Sequence, residues 1–79
     1  MKPIRLSKPA LDYAQMRGFT VAEVEETIRT SAWGAAELER LDCRKDFANG
    51  KVYATKRIRP VFAEEAGEIV VITVYTYYF

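Results

Sequence analysis

Lys56, Arg57 and Arg59 stand together in the stretch Lys51-Val52-Tyr53-Ala54-Thr55-Lys56-Arg57-Ile58-Arg59, and Tyr75, Tyr77 and Tyr78 close a β-branched run from Ile69 to Phe79. Cations that grip phosphate, set beside phenolic rings that stack on bases, can hold a nucleotide at two points. Cleavage of RNA by its own 2′-hydroxyl needs a base for the hydroxyl proton, a cation for the charged phosphate and an acid for the leaving oxygen. The chain has no histidine, so proton transfer falls to a lysine or tyrosine whose pKa is moved by burial or by neighbouring cations. On this reading Lys56 and Tyr75 are the catalytic candidates, and Arg57, Arg59 and Tyr77 the RNA- and phosphate-binding ones. The period of a strand complicates the grouping. It sets Lys56 with Tyr75 and Tyr77 on one face, and Arg57 and Arg59 with Tyr53 and Tyr78 on the other. The competing reading is a solvated strand whose lysine discourages edge pairing. The RNA reading requires that these cations stand free, on a sheet surface that no helix covers.

Other chemistries are excluded by composition. Cys43 is the single cysteine, so there is no disulfide framework and no zinc-type Cys/His spacing. No metal ligand set and no cofactor motif is expected, and Cys43 reads as a small buried filler. The N-terminus has no apolar segment of signal-peptide type. The apolar run Ile69–Ile72 is far too short to span a bilayer. A soluble cytoplasmic setting without membrane contact is the expectation. The formal net charge of +1 hides an uneven distribution. Glu23, Glu25, Glu26, Glu37, Glu39 and Asp42 crowd residues 20–43, whereas Arg44, Lys45, Lys51, Lys56, Arg57 and Arg59 crowd residues 44–60.

The elements that must position these groups follow from spacing and caps. With 79 residues the chain is one domain, 1–79, with a marginal core. Ser7 can cap a helix running to Arg17, with Pro9 in its first turn and Gly18 as its stop. Ala10, Tyr13, Ala14 and Arg17 share one face of it. Thr20-Val21-Ala22-Glu23 is a capping box, and Phe19 with Val24 a hydrophobic staple. Val21, Val24 and Ile28 form the expected buried stripe of this second helix, and Trp33 beyond it reads as a core or staple residue rather than a base-stacking platform. Asn49-Gly50 is a type I′ hairpin signal. A two-residue loop there sets Phe47 opposite Val52, Cys43 opposite Lys56, Asp42 opposite Arg57 and Leu41 opposite Ile58. A second turn at Glu64-Glu65-Ala66-Gly67 leads into the last strand, apolar on both parities, for which the N-terminal segment is a candidate neighbour. The fold class is α+β: two N-terminal helices packed on a small antiparallel sheet of three to four strands.

Ser7-Lys8-Pro9-Ala10, Arg17-Gly18-Phe19-Thr20 with Glu23-Val24, and the closing Ile69-Val70-Val71-Ile72-Thr73-Val74-Tyr75 together resemble a small bacterial family, the domain-of-unknown-function family 4258. The layout is also similar to that of the RelE, ParE and BrnT toxins. What the resemblance implies is a RelE-like fold and a toxin-related role, in which many relatives cut messenger RNA without a metal and are held by an antitoxin. The family's histidine position is Pro9 in this chain, so a catalytic role for that histidine is not carried over. The expected activity is therefore an RNA-contacting one, either an endoribonuclease (mRNA interferase) or a catalytically degenerate relative. The partners in view are RNA, an antitoxin-like protein, or a second copy through the last strand. The alternative is a non-catalytic protein-interaction or dimerisation module, because an aromatic strand with an open edge can accept another strand.

Overall fold

The computed structural model describes all residues, Met1–Phe79. The elements run β1 (Ile4–Leu6), α1 (Lys8–Arg17), α2 (Val21–Thr30), β2 (Gly34–Ala35), β3 (Leu41–Asp42), β4 (Lys45–Ala48), β5 (Thr55–Glu64) and β6 (Ile69–Tyr78). The fold is α+β, with two helices and a six-stranded sheet in the order β1-β6-β5-β3-β2, β4 pairing with β5 beside β3. The sheet has more strands than the three to four expected, and it is mixed, because β1 runs parallel to β6.

Both helices begin and end where local chemistry dictates. The Ser7 hydroxyl accepts from the Ala10 N–H at the start of α1. Gly18 closes it in the left-handed region at φ 76°. A side chain there would be strained by that φ, and its Cβ would have to push the Tyr78 hydroxyl aside. In α2 the Thr20–Glu23 capping box is complete in both directions.

The core lies between the helices and one sheet face: Leu6, Ala10, Phe19, Val24, Ile28, Cys43, Ile58, Phe62, Ile69, Val71 and Val74. The staple pair Phe19 and Val24 is buried as expected, but Val21 is exposed and Thr27 takes its place. A helix face centred on Val24 and Ile28 turns Thr27 inward, and its hydroxyl is satisfied by the Glu23 carbonyl. Trp33 is partly buried and packs against the core, edge-on to Phe62 with ring centroids 5.1 Å apart, its Nε1–H donating to the Ile28 carbonyl.

The strand register departs from the expected one. Asn49-Gly50 is not a two-residue turn. β4 and β5 are joined by a six-residue loop, closed by the Asn49 N–H donating to the Ala54 carbonyl. Phe47 therefore faces Lys56, Asp46 faces Arg57 and Leu41 faces Phe62. Continuing this register places Cys43 opposite Pro60, which has no N–H to give, and there the partner chain breaks into β3 and β4. A hairpin absent from the sequence reading joins β2 to β3 through Leu38 and Glu39, both in the left-handed region (φ 58° and 59°). This is a type I′ geometry that non-glycine residues adopt at about 1–2 kcal/mol each.

Candidate functional site

β5 and β6 form the spine of the sheet, and their register decides which groups share a face. Arg57 is paired with Tyr77, Arg59 with Tyr75 and Lys56 with Tyr78. Directly opposed residues project to the same side. Arg57, Arg59, Tyr75 and Tyr77 thus line the face that carries no helix, whereas Lys56 and Tyr78 lie on the helix side. This corrects the expected grouping, in which Lys56 joined Tyr75 and Tyr77: the two catalytic candidates are on opposite faces of the sheet. The expected turn joined Phe62 to Ile69 and so set Lys56 across from Tyr75. In the structure Glu64 pairs with Ile69, a shift that keeps parity, and the irregularity at Val61/Phe62 then reverses it for the rest of the ladder.

Lys56 is held on the helix side. Its ammonium contacts Glu23 Oε2 at 2.8 Å and donates to the Gly18 carbonyl at 2.9 Å, and its side chain is only 13% exposed. Burial alone would raise the Glu23 carboxyl. The hydrogen bonds from Lys56 and Thr20 outweigh it and hold that carboxyl below its ordinary value. Glu23 therefore does three jobs: it caps α2, neutralises Lys56 and ties α2 to the sheet. The Tyr78 hydroxyl donates to the Arg17 carbonyl on the same side.

On the bare side each arginine is clamped by a carboxylate from the neighbouring strand. Arg57 makes a bidentate pair with Asp46, Nε to Oδ1 at 2.7 Å and Nη2 to Oδ2 at 3.1 Å. Arg59 bonds Asp42 Oδ2 through Nε at 2.9 Å and Nη2 at 2.7 Å. The hydrogen bond from Arg57 holds the Asp46 carboxyl below the usual carboxylate range. The expected Asp42–Arg57 pair is replaced by these two, because the register moves by an even number of residues and keeps the acids and the arginines on one face.

Aromatic rings complete the surface. The Arg59 guanidinium lies 5.5 Å from the Tyr75 ring, and the Arg57 guanidinium 4.9 Å from the Phe79 ring. Arg17 reaches Tyr75 from the edge of β6, lies 3.8 Å from the Tyr13 ring and donates from Nη1 to the Val74 carbonyl at 2.8 Å.

Three shallow hollows of about 600, 440 and 340 Å³ share Arg59. The smallest is lined by Asp42, Arg44, Arg57, Arg59 and Tyr77. Arg44 and Arg40, both bordering these hollows, make no ion pair. Sequence reasoning missed them. Arg44 was visible only as one of several cations in the basic stretch, and Arg40 as a cation in an acidic one. Cys43 is buried, its Sγ 3.6 Å from the Thr27 carbonyl. Burial, assisted by Asp42, pushes its thiol up to about 11, the direction that disfavours the thiolate. No cluster of His, Cys, Asp or Glu is arranged to hold a metal ion, and no helix is long and apolar enough to cross a membrane.

No family model, no curated protein and no solved structure matches this chain.

Proposed function

We propose that this chain is a non-catalytic protein-interaction module, working through the aromatic end of β6 and the adjoining bare sheet face. The observation that carries this reading is the engagement of both phosphate candidates, Arg57 and Arg59, with carboxylates of the same chain. A phosphate would have to displace Asp46 and Asp42, each held in place by its strand, and would approach two fixed negative charges. A protein partner has no such competition. Guanidinium planes already ordered beside Phe79 and Tyr75 suit a protein interface, where Arg and aromatic residues supply much of the binding energy and pre-ordering lowers its entropic cost.

The same geometry gives no support to proton transfer at this face. Lys56 is committed to Glu23 on the other side, and general acid–base work needs a group within reach of the reacting atom and poised near working pH. In this reading the module needs no cofactor and acts in the cytoplasm.

One observation favours a second reading, a toxin-related RNA-contacting protein of RelE/BrnT-like fold. Arg44 has no carboxylate partner and borders the hollow of Arg57, Arg59 and Tyr77. Titration of a labelled single-stranded RNA, followed by fluorescence anisotropy across a salt series, separates the two. The interaction reading expects no saturable binding at physiological salt, and no change on Arg57→Ala with Arg59→Ala. Saturable binding that the double variant weakens, with a flattened salt dependence, overturns it in favour of the second reading.

A further inference from the structure

We infer that the partner of this module is a second copy of the chain, joined through the outer edge of β6 in antiparallel register with the two-fold axis at Tyr77. The inference rests on the interaction reading and goes beyond it by naming the occupant and the register.

β6 leaves part of its outer edge without a neighbouring strand. β1 covers β6 only at Ile69, Val70 and Val71. Higher up, Thr55 and Phe79 exchange both of their N–H···O bonds. In an antiparallel ladder such pairs recur every second residue, so Tyr77, Tyr75 and Thr73 also turn their N–H and C=O groups toward β5. Val74, Thr76 and Tyr78 therefore turn theirs outward. The Arg17 bond to the Val74 carbonyl agrees with this parity. Arg17 also blocks the edge at that point. What remains is a short open edge at Thr76 and Tyr78, two N–H groups and two carbonyls, with no lysine, proline or glycine from Tyr75 to Phe79 to discourage pairing.

This edge is complementary to itself in one register. With Tyr77 opposite Tyr77 of the second copy, Thr76 faces Tyr78 and Tyr78 faces Thr76, and four reciprocal backbone hydrogen bonds satisfy all the open groups. Arg17 stays where it is. The neighbouring register, centred on Thr76, would set the second copy's Tyr78 against the Val74 carbonyl that Arg17 already occupies, and is disfavoured. The contact is isologous, so it closes on its own two-fold axis and does not propagate through β6.

The surface to be covered is of sufficient size. Tyr53, Tyr75, Tyr77, Tyr78 and Phe79 cluster at this end of the molecule and are 41–54% exposed. An aromatic residue buries about 150–250 Å² in full, so roughly 500 Å² of aromatic surface is open per copy. Full coverage of that surface in both copies would bury at most about 1,000 Å², the lower bound of a specific interface.

The test is directed cross-linking with sedimentation velocity on the full chain. Opposed residues of a non-hydrogen-bonded antiparallel pair have Cα atoms about 4.5 Å apart, within disulfide range. Tyr77→Cys should thus form an intermolecular disulfide under mild oxidation. Tyr75→Cys should not, since its two copies would lie roughly 14 Å apart. The buried Cys43 remains silent in both. Thr76→Pro removes an outward N–H without touching the ladder to β5, and should convert the dimer to monomer with an unchanged circular dichroism spectrum. A parent that sediments as a monomer at every concentration, or Tyr75→Cys cross-linking as readily as Tyr77→Cys, overturns the inference. Such a result leaves the interaction reading standing with another partner, whereas saturable RNA binding strikes the reading itself.

Discussion

Lys56 and Arg57 are adjacent in sequence, each bonded to a carboxylate, and differ in almost every other respect. Lys56 projects under the helices, 13% exposed, against Glu23. Arg57 projects from the bare side, 37% exposed, against Asp46. The first pair sits where water is scarce and joins α2 to the sheet, so its loss leaves a partly buried charge without a counter-ion. The second sits in water, where a clamp of similar geometry adds little stability. What it changes is the availability of the guanidinium to a ligand. The two faces of β5 thus divide the labour: one holds the fold together, and the other sets what the protein can touch.

The largest effect that would sharpen this contrast comes from neighbouring β5 residues of opposite orientation. Phe62 is fully buried against Trp33, and Phe62→Ala should cost about 3–5 kcal/mol, enough to unfold a domain of this size. Val61→Ala, on the other face, should cost about 1 kcal/mol or less. Urea denaturation of the two variants checks this, and equal losses would break the distinction between faces.

The ion pairs give the next step down. Glu23→Ala removes the cap, the Lys56 partner and the link to the sheet at once, and should cost about 2 kcal/mol. Asp46→Ala, at a pair standing in water, should leave stability almost unchanged. Thermal unfolding of both variants reads the ratio, and an Asp46 loss as large as that of Glu23 would show the bare-face clamp to be structural.

A smaller effect is expected with acid. Glu23 titrates in the folded chain below its ordinary value of 4.5, so its stabilisation is complete above that pH and declines as pH falls through the folded value. Glu23→Gln should therefore flatten the acid limb of the stability profile. An unchanged limb would mean that other carboxylates set it.

The pattern of what could be read from sequence follows the range of the interactions. Ser7, Gly18, Thr20 and Glu23 act within a helical turn of their partners, and the helices they delimit were legible. The pairing of β5 was not. Asn49-Gly50 carries a local turn preference, but the register is set by distant contacts: Leu41 opposite Phe62 and a break opposite Pro60. Tyr75 and Tyr77 could be recognised as candidates beside the arginines, yet their common face depends on a ladder with an irregularity at Val61/Phe62 that no local signal marks. The Leu38–Glu39 turn escaped notice because its residues are not those that favour its conformation. Arg17 read only as one face of a helix, and its work at the β6 edge appears once the chain is folded.

The smallest predicted change, and the one closest to function, is a gain. Asp42→Asn with Asp46→Asn leaves the bare-face strands in place while freeing Arg57 and Arg59. If self-neutralisation keeps phosphate away, the double variant should acquire weak RNA binding with a salt slope near −1.4, the value for about two phosphate contacts on a single strand. Fluorescence anisotropy measures it, and a variant as indifferent as the parent would mean that something other than the clamps excludes RNA.

Sedimentation velocity of the purified chain, with and without single-stranded RNA, separates a self-paired β6 edge from an RNA-contacting face in one experiment. Pairing through β6 gives a dimer whose sedimentation coefficient is indifferent to RNA. A monomer that shifts only when RNA is added rules that pairing out.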